Sequence, residues 1–398
     1  MNHATRTMLL LSSLTYRGCF AGLVPGATSA LVHGAVARGL GRVLNDDWEL
    51  VWGPATSRMV GDRFDSFGMF LVQNRQHPAQ HVLAVRGTNP LSLTDWAFGD
   101  FNVGTGVEWP FDAAAHVSTS TAHGLVNLLK LVPKKVDVFV ADLATKIAVP
   151  TWILGLVHTL GAERNVGDWL FARIADVATG KLAKAAAVLQ VPTVVGKLLE
   201  QQLSIQTAEL AWANPVPQGL LTHLSDAARI APLDLVVTGH SKGGALAPAM
   251  ALWLAETRQV AAGGWDPGKQ STVRFAAFAG PTPGDEAFAA RAVAQVGQGS
   301  VRVVNDHDVA PCAWSAAGLG GVAAMYGNRS APLQSLVAAV IAGLAGKHMD
   351  YRHVGPPVTV TGVPDPARSL GEEIVYQHLD AYLVAANVGF DAIDMFVG

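Results

Sequence analysis

Cysteine is nearly missing: Cys19 and Cys312 are the two in 398 residues. One bridge is the most they can form, so no disulfide framework holds the fold and no all-cysteine zinc site can be built. Charge is scarce and balanced, with 28 Lys and Arg against 31 Asp and Glu and a formal net charge of −3. A nucleic-acid binder would show a basic excess or a basic run, and neither is present. Long apolar runs are lacking too. Residues 147–162 and 330–346 are free of Asp, Glu, Lys and Arg, but each stops short of the roughly 18 apolar residues that a spanning helix needs. Near the N-terminus the apolar stretch Met8 to Leu11 is broken by Ser12, Ser13, Thr15 and Arg17. An export signal needs a longer apolar stretch and a small-residue cleavage site. The segment reads as a first core helix, and the protein as cytoplasmic ahead of secretion without a cleaved signal.

What is present is apolar. Half the residues are hydrophobic and 15% are charged, which excludes disorder and allows a large core. His81 to Val85, Leu233 to Thr238, Val273 to Phe278 and Val301 to Val304 read as short buried strands, each ending in turn chemistry. Unbroken apolar strands suit a sheet covered on both faces, and the helical run Ala245 to Glu256 supplies one cover. The expected class is α/β. Residues 105–225 are rich in Ala, Leu, Val and Lys at helical spacing, with Gly167, Gly180 and Pro192 as interruptions. They read as a mostly helical insertion, and 313–370, rich in Gly, Ala and Pro, as a looser one. The catalytic core is then 1–104 with 226–398.

Gly239-His240-Ser241-Lys242-Gly243 has the form G-x-S-x-G and lies between an apolar strand and an apolar helix. A sharp strand-to-helix turn forces the serine into a strained backbone conformation and leaves no room for side chains at the flanking glycines. Ser241 would stand at the carboxyl edge of the sheet, and the Lys242 backbone N–H would form part of an oxyanion hole. A serine hydroxyl is a weak nucleophile until a base takes its proton, so a histidine and an orienting acid are required, in the order Ser, Asp or Glu, His. Asp308 follows the last strand and precedes Pro311; Asp306 is the rival acid. The near-consecutive Asp306, His307 and Asp308 do not have metal-ligand spacing, and no cofactor or metal is expected. His307, His348, His353 and His378 are the candidate bases. His378 is favoured because it lies near the C-terminus at what reads as the start of a final amphipathic helix.

Four segments resemble the fungal-type class 3 lipases of the α/β-hydrolase superfamily. They are Val82 to Thr88, Val236 to Ala247, Phe278 to Pro281 with Gly284 and Phe288, and Val301 to Asn305 continuing through Asp308 and Pro311. The resemblance implies a mostly parallel sheet covered by helices, with Thr88 as an oxyanion-hole residue, Asp308 as the acid, and His378 as the base with Tyr382 behind it. Leu10 to Tyr16 is similar to the family's opening helix. Asp95-Trp96 is present, but the spacing to Asp100 is one residue longer than the family pattern, and 105–225 exceeds the corresponding stretch of compact members. There the family carries a helical lid, and a rigid cap is the other reading.

The implied activity is serine-dependent hydrolysis of carboxylic esters, with acylglycerols as substrate and transient contact with a lipid interface. Phospholipase and short-chain esterase readings use the same three residues. An inactive lipid-binding protein is the alternative of another class.

Overall fold

A computed structural model of the chain describes residues 1–16, 28–45, 47–58, 65–87, 106–133, 218–258, 264–322, 324–327 and 351–388. Two helices open it, α1 (His3–Leu14) and α2 (Thr28–Leu44). The Asn2 side chain caps α1 by accepting the Thr5 amide at 2.8 Å. Strands β1 (Trp48–Arg58), β2 (Asp65–Asn74) and β3 (Gln80–Val85) then pair antiparallel in sequence order. A hairpin, β4 (Gly106–Trp109) and β5 (Asp112–Ser118), leads into α3 (Thr119–Leu129). Next come α4 (Leu220–Ile230), β6 (Asp234–His240), α5 (Lys242–Thr257), β7 (Thr272–Phe278), the short β8 (Gly284–Asp285), α6 (Glu286–Val296) and β9 (Val301–Asn305). The last described elements are a 3-10 turn at Ala310–Cys312, α7 (Ala316–Val322), β10 (Tyr351–Arg352), β11 (Pro357–Val360), α8 (Leu370–His378) and α9 (Asp380–Ala385).

The main sheet runs β1-β2-β3-β6-β7-β9-β11, and from β3 to β11 every pairing is parallel. Alternation along each strand decides which helices cover which face. Phe70, Val72, Val82, Ala84, Ala276 and Phe278 face α1 and α2, whose Leu10, Leu14, Val36 and Leu40 complete one core. Their neighbours Leu71, Leu83, Val85, Val237, Phe275 and Ala277 face α3 and α5, with Leu125, Leu246, Met250 and Trp253 in the other. Both layers exclude water, so truncating a central side chain such as Leu83 to alanine should cost about 2–5 kcal/mol. A second sheet, β10-β8-β5-β4, stacks on the second core through Val107, Trp109 and Val117.

The four strands read from sequence are all present, each within two residues of its expected bounds. Three expectations change. Residues 106–129, assigned to the helical insertion, are a hairpin and a helix packed in the core; 134–217 lie outside the described residues. The looser stretch 313–370 supplies β11, which pairs in register with β9 from Pro357 opposite Arg302 to Val360 opposite Asn305. His378 ends a helix rather than starting one, because the start is fixed upstream by a capping box at Ser369 and Glu372. Among the described residues, no helix is long and apolar enough to cross a membrane.

Candidate active site

Parallel strands aim their carboxyl ends at one edge, and β6, β7 and β9 all end there. Ser241 follows β6 directly with φ 59° and ψ −129° and serves as the N-cap of α5. Side chains rarely adopt that backbone conformation. Its surroundings hold it there: the Ser241 amide donates to the Phe278 carbonyl at 3.0 Å, and the Ser241 carbonyl accepts from the Gly244 amide at 2.8 Å. The turn is so tight that a Cβ on Gly239 would run into the carbonyl of Gly243. A Cβ on Gly243 would run into the Val85 carbonyl, so both glycines of the motif are explained by close backbone approach.

From Ser241 a line of hydrogen bonds crosses the sheet edge. His378 Nε2 lies 2.9 Å from Ser241 Oγ, and His378 Nδ1 lies 3.0 Å from both carboxylate oxygens of Asp308. An ionised carboxylate can only accept, which assigns the ring proton to Nδ1 and leaves Nε2 to accept from the serine hydroxyl. The Asp308 side chain is fully buried, so its charge must be met by donors. Besides His378 it accepts from the Tyr382 hydroxyl at 2.8 Å and from the Ala310 amide at 3.0 Å. Tyr382 in turn accepts the Asn305 amide at 2.9 Å, which fixes its hydroxyl proton toward Asp308.

The rival residues are placed elsewhere. Asp306 accepts from His307 Nδ1 at 2.7 Å and from the Gly362 amide at 3.0 Å. Burial pushes its carboxyl up, but the hydrogen bonds from His307, Gly362 and Thr361 together with the His307 charge bring it below the usual range. His353 donates through Nε2 to the Pro311 carbonyl at 2.8 Å, and burial, helped by the Arg302 charge, pulls it down to about 4. His348 lies outside the described residues.

Lys242 begins α5 immediately after Ser241, so its amide belongs to the first turn, where N–H groups have no acceptor within the helix. Its side chain is buried, with Nζ 4.8 Å from the centre of the Phe67 ring. Thr88 lies outside the described residues, but the corner before it is in place. Arg86 donates through Nε to the Thr15 carbonyl at 2.7 Å, and a Cβ on Gly87 would come within 3.1 Å of Ser241 Cβ.

Three further residues surround the histidine. His240 Nε2 is 2.8 Å from the His378 carbonyl, and Tyr16 Oη is 3.1 Å from His240 Nδ1. Asn305 Nδ2 donates to the Gln377 carbonyl at 2.8 Å and to Gln377 Oε1 at 2.7 Å. Burial, with the neighbouring His378 charge, pulls His240 down to about 3. Sequence reasoning passed over all three. His240 sat in plain view inside the motif, but Tyr16 and Asn305 carry no local signal. Among the described residues, no group of three or more His, Cys, Asp or Glu side chains could hold a metal ion.

A covered, mostly parallel sheet with a strained serine after a central strand, and a histidine and an aspartate from later connections, defines a hydrolase of the α/β-hydrolase fold. Residues 184–316, which contain Ser241 and Asp308, match the model of the lipase (class 3) family. That match spans about a third of the chain and makes it similar to the class 3 lipases there, which supports an ester-hydrolysing enzyme of lipase type. Among solved structures, the chain is similar to M37 lipase at 23% identity and a TM-score of 0.67, covering 100% of this chain and 99% of that one. The lipase from Rhizopus microsporus var. chinensis matches at 14% identity and a TM-score of 0.39, over 95% and 87% of the two chains. The Rhizomucor miehei lipase in its propeptide complex matches at 14% and 0.37, over 80% and 65%. The first of these establishes the shared fold. No curated protein matches the chain.

Proposed function

We propose that the protein hydrolyses carboxylic esters, with acylglycerols as its substrate class, through an acyl-enzyme formed on Ser241. The observation that carries this reading is the unbroken hydrogen-bond line from Ser241 Oγ through His378 to buried Asp308. As Ser241 Oγ attacks the ester carbonyl, His378 Nε2 takes its proton. The imidazolium that forms is stabilised by Asp308, whose other contacts hold it in place. Negative charge on the former carbonyl oxygen is met by the Lys242 amide at the helix N-terminus, with Thr88 as the second donor. His378 then protonates the leaving alcohol, a water molecule attacks the acyl-enzyme with the same histidine as base, and Ser241 is restored.

The reading is tested by hydrolysis of p-nitrophenyl esters of increasing chain length, together with emulsified triacylglycerol. Wild type should turn over esters, and Ser241→Ala should lose activity by on the order of 10⁴-fold or more. Preference for long chains or for the emulsion supports the acylglycerol assignment; short-chain turnover alone makes the protein an esterase. Residual activity in Ser241→Ala equal to wild type would remove Ser241 from the chemistry.

A further inference from the structure

The histidine that faces Ser241 is the last residue of α8, and the closing carbonyls of a helix have no donor within it. Side chains from the neighbouring strand ends supply donors to two of them here. Asn305, the last residue of β9, donates to the Gln377 carbonyl at 2.8 Å, and His240, the last residue of β6, meets the His378 carbonyl at 2.8 Å. A carbonyl oxygen accepts only, so His240 Nε2 carries the proton. Nδ1 of the neutral ring is then an acceptor, which the Tyr16 hydroxyl 3.1 Å away serves as donor. His240 is buried, and its ring packs among Tyr16, His378 and Tyr382 at centroid distances of 5.9, 4.8 and 5.8 Å.

These donors come from particular places. His240 is covalently next to Ser241, and Asn305 stands three residues before Asp308. Each strand end therefore contributes one group to the reaction line and one group that holds the backbone of the histidine between them. We infer that His240 and Asn305 are positioning residues that cap the C-terminus of α8 and so fix the distance of His378 from both Ser241 and Asp308, with Tyr16 orienting His240. A side chain acting on the His378 carbonyl leaves both ring nitrogens free for Ser241 and Asp308. It sets the backbone from which the ring hangs, and a displacement of 1 Å at such a site is enough to slow a reaction about 100-fold. Asn305 is anchored in its own right: its Oδ1 accepts the His307 amide at 3.1 Å, and its Gln377 partner donates to buried Glu373 at 2.7 Å.

This inference rests on the hydrolytic reading above, and its test separates the two. His240→Gln keeps an N–H donor within reach of the Nε2 position, whereas His240→Leu keeps bulk and removes the donor. With a p-nitrophenyl ester, His240→Leu should lower kcat by at least about tenfold with KM nearly unchanged, and His240→Gln should recover most of the loss. Crystal structures of both variants supply a readout free of turnover: His378 Nε2 should move out of hydrogen-bonding distance of Ser241 Oγ in His240→Leu and stay within it in His240→Gln. Asn305→Leu should behave as His240→Leu does. Wild-type kcat in His240→Leu, equal damage in the Leu and Gln variants, or an unmoved His378 would overturn the inference. A wild-type protein without esterase activity would defeat the hydrolytic reading alone, because the displacement of His378 still decides the capping role.

Discussion

Asp308 shows what a buried charge demands of its neighbours. Its two oxygens meet His378, Tyr382 and the Ala310 amide, and removal of one donor leaves the carboxylate under-solvated. Tyr382→Phe deletes the 2.8 Å bond to Asp308 and the acceptor for the Asn305 amide without changing the ring's packing. It should lower stability by about 1–3 kcal/mol in urea unfolding and lower kcat more than it raises KM. An unchanged unfolding midpoint would show that water replaces both bonds. At this scale the sequence was legible where chemistry is written locally. G-x-S-x-G between strand and helix pointed to Ser241. Chain order left Asp306 beside Asp308 and four candidate histidines, and placement at element ends with the family resemblance favoured Asp308 and His378, which lie in hydrogen-bond contact in line with Ser241. Tyr16 was not legible, since its hydroxyl meets a ring 224 positions away and nothing around it in sequence differs from an ordinary core tyrosine.

Elements position these residues through their ends. Helix α8 begins at the reciprocal pair in which the Ser369 hydroxyl accepts the Glu372 amide and the Glu372 carboxylate accepts the Ser369 amide. Nine residues later it delivers His378 to the sheet edge. Ser369→Ala should cost about 1 kcal/mol of stability, read from the urea midpoint, while leaving Ser241 reactive. At the other tight junction, Gly239→Ala places a methyl group against the Gly243 carbonyl. That variant should fail to accumulate as folded protein or should melt well below wild type; a normal melting temperature would show that the turn relaxes. The capping pair was visible in sequence as Ser369-Leu-Gly-Glu372 and went unread, which displaced the expected helix to the far side of His378. Strands β1 and β2 were hidden for a different reason. Their pairing shifts register between Leu50 and Trp52 and again before Ala55, and each irregularity resets the alternation by which a half-buried strand is recognised. The hairpin β4 to β5 is short and turns at Pro110 and Phe111, and its second strand carries Ala113, Ala114 and Ala115, too little side chain to display a period.

Among the described residues, burial pulls down six histidines, His33, His81, His123, His223, His240 and His353, and three of them furthest: His240 to about 3, and His123 and His353 to about 4. In the unfolded chain they gain protons below about pH 6.5, so the unfolded state binds more protons as pH falls and stability drops between about pH 6.5 and 4. Asp380, raised by burial to about 6, and Glu256, raised by burial as well, push the other way. Three histidines carried further from their ordinary value outweigh them. The urea midpoint should therefore be lower at pH 5 than at pH 7.5, and an equal or higher midpoint at pH 5 would contradict this balance. The overall architecture was the most legible level of all, because unbroken apolar strands ending in glycine or polar corners require covers on both faces. Its antiparallel side and second sheet depend on pairings between distant segments, which no local pattern announces.

The central claim is that Ser241, activated by His378, is the group that attacks the ester. Its most direct test is incubation with a fluorophosphonate, followed by mass spectrometry of the digested protein, for wild type, Ser241→Ala and His378→Ala. The account predicts phosphonylation of Ser241 in wild type, none at that peptide in Ser241→Ala, and labelling slowed by at least about 100-fold in His378→Ala. Wild type left unlabelled at Ser241, or His378→Ala labelled at the wild-type rate, would contradict it.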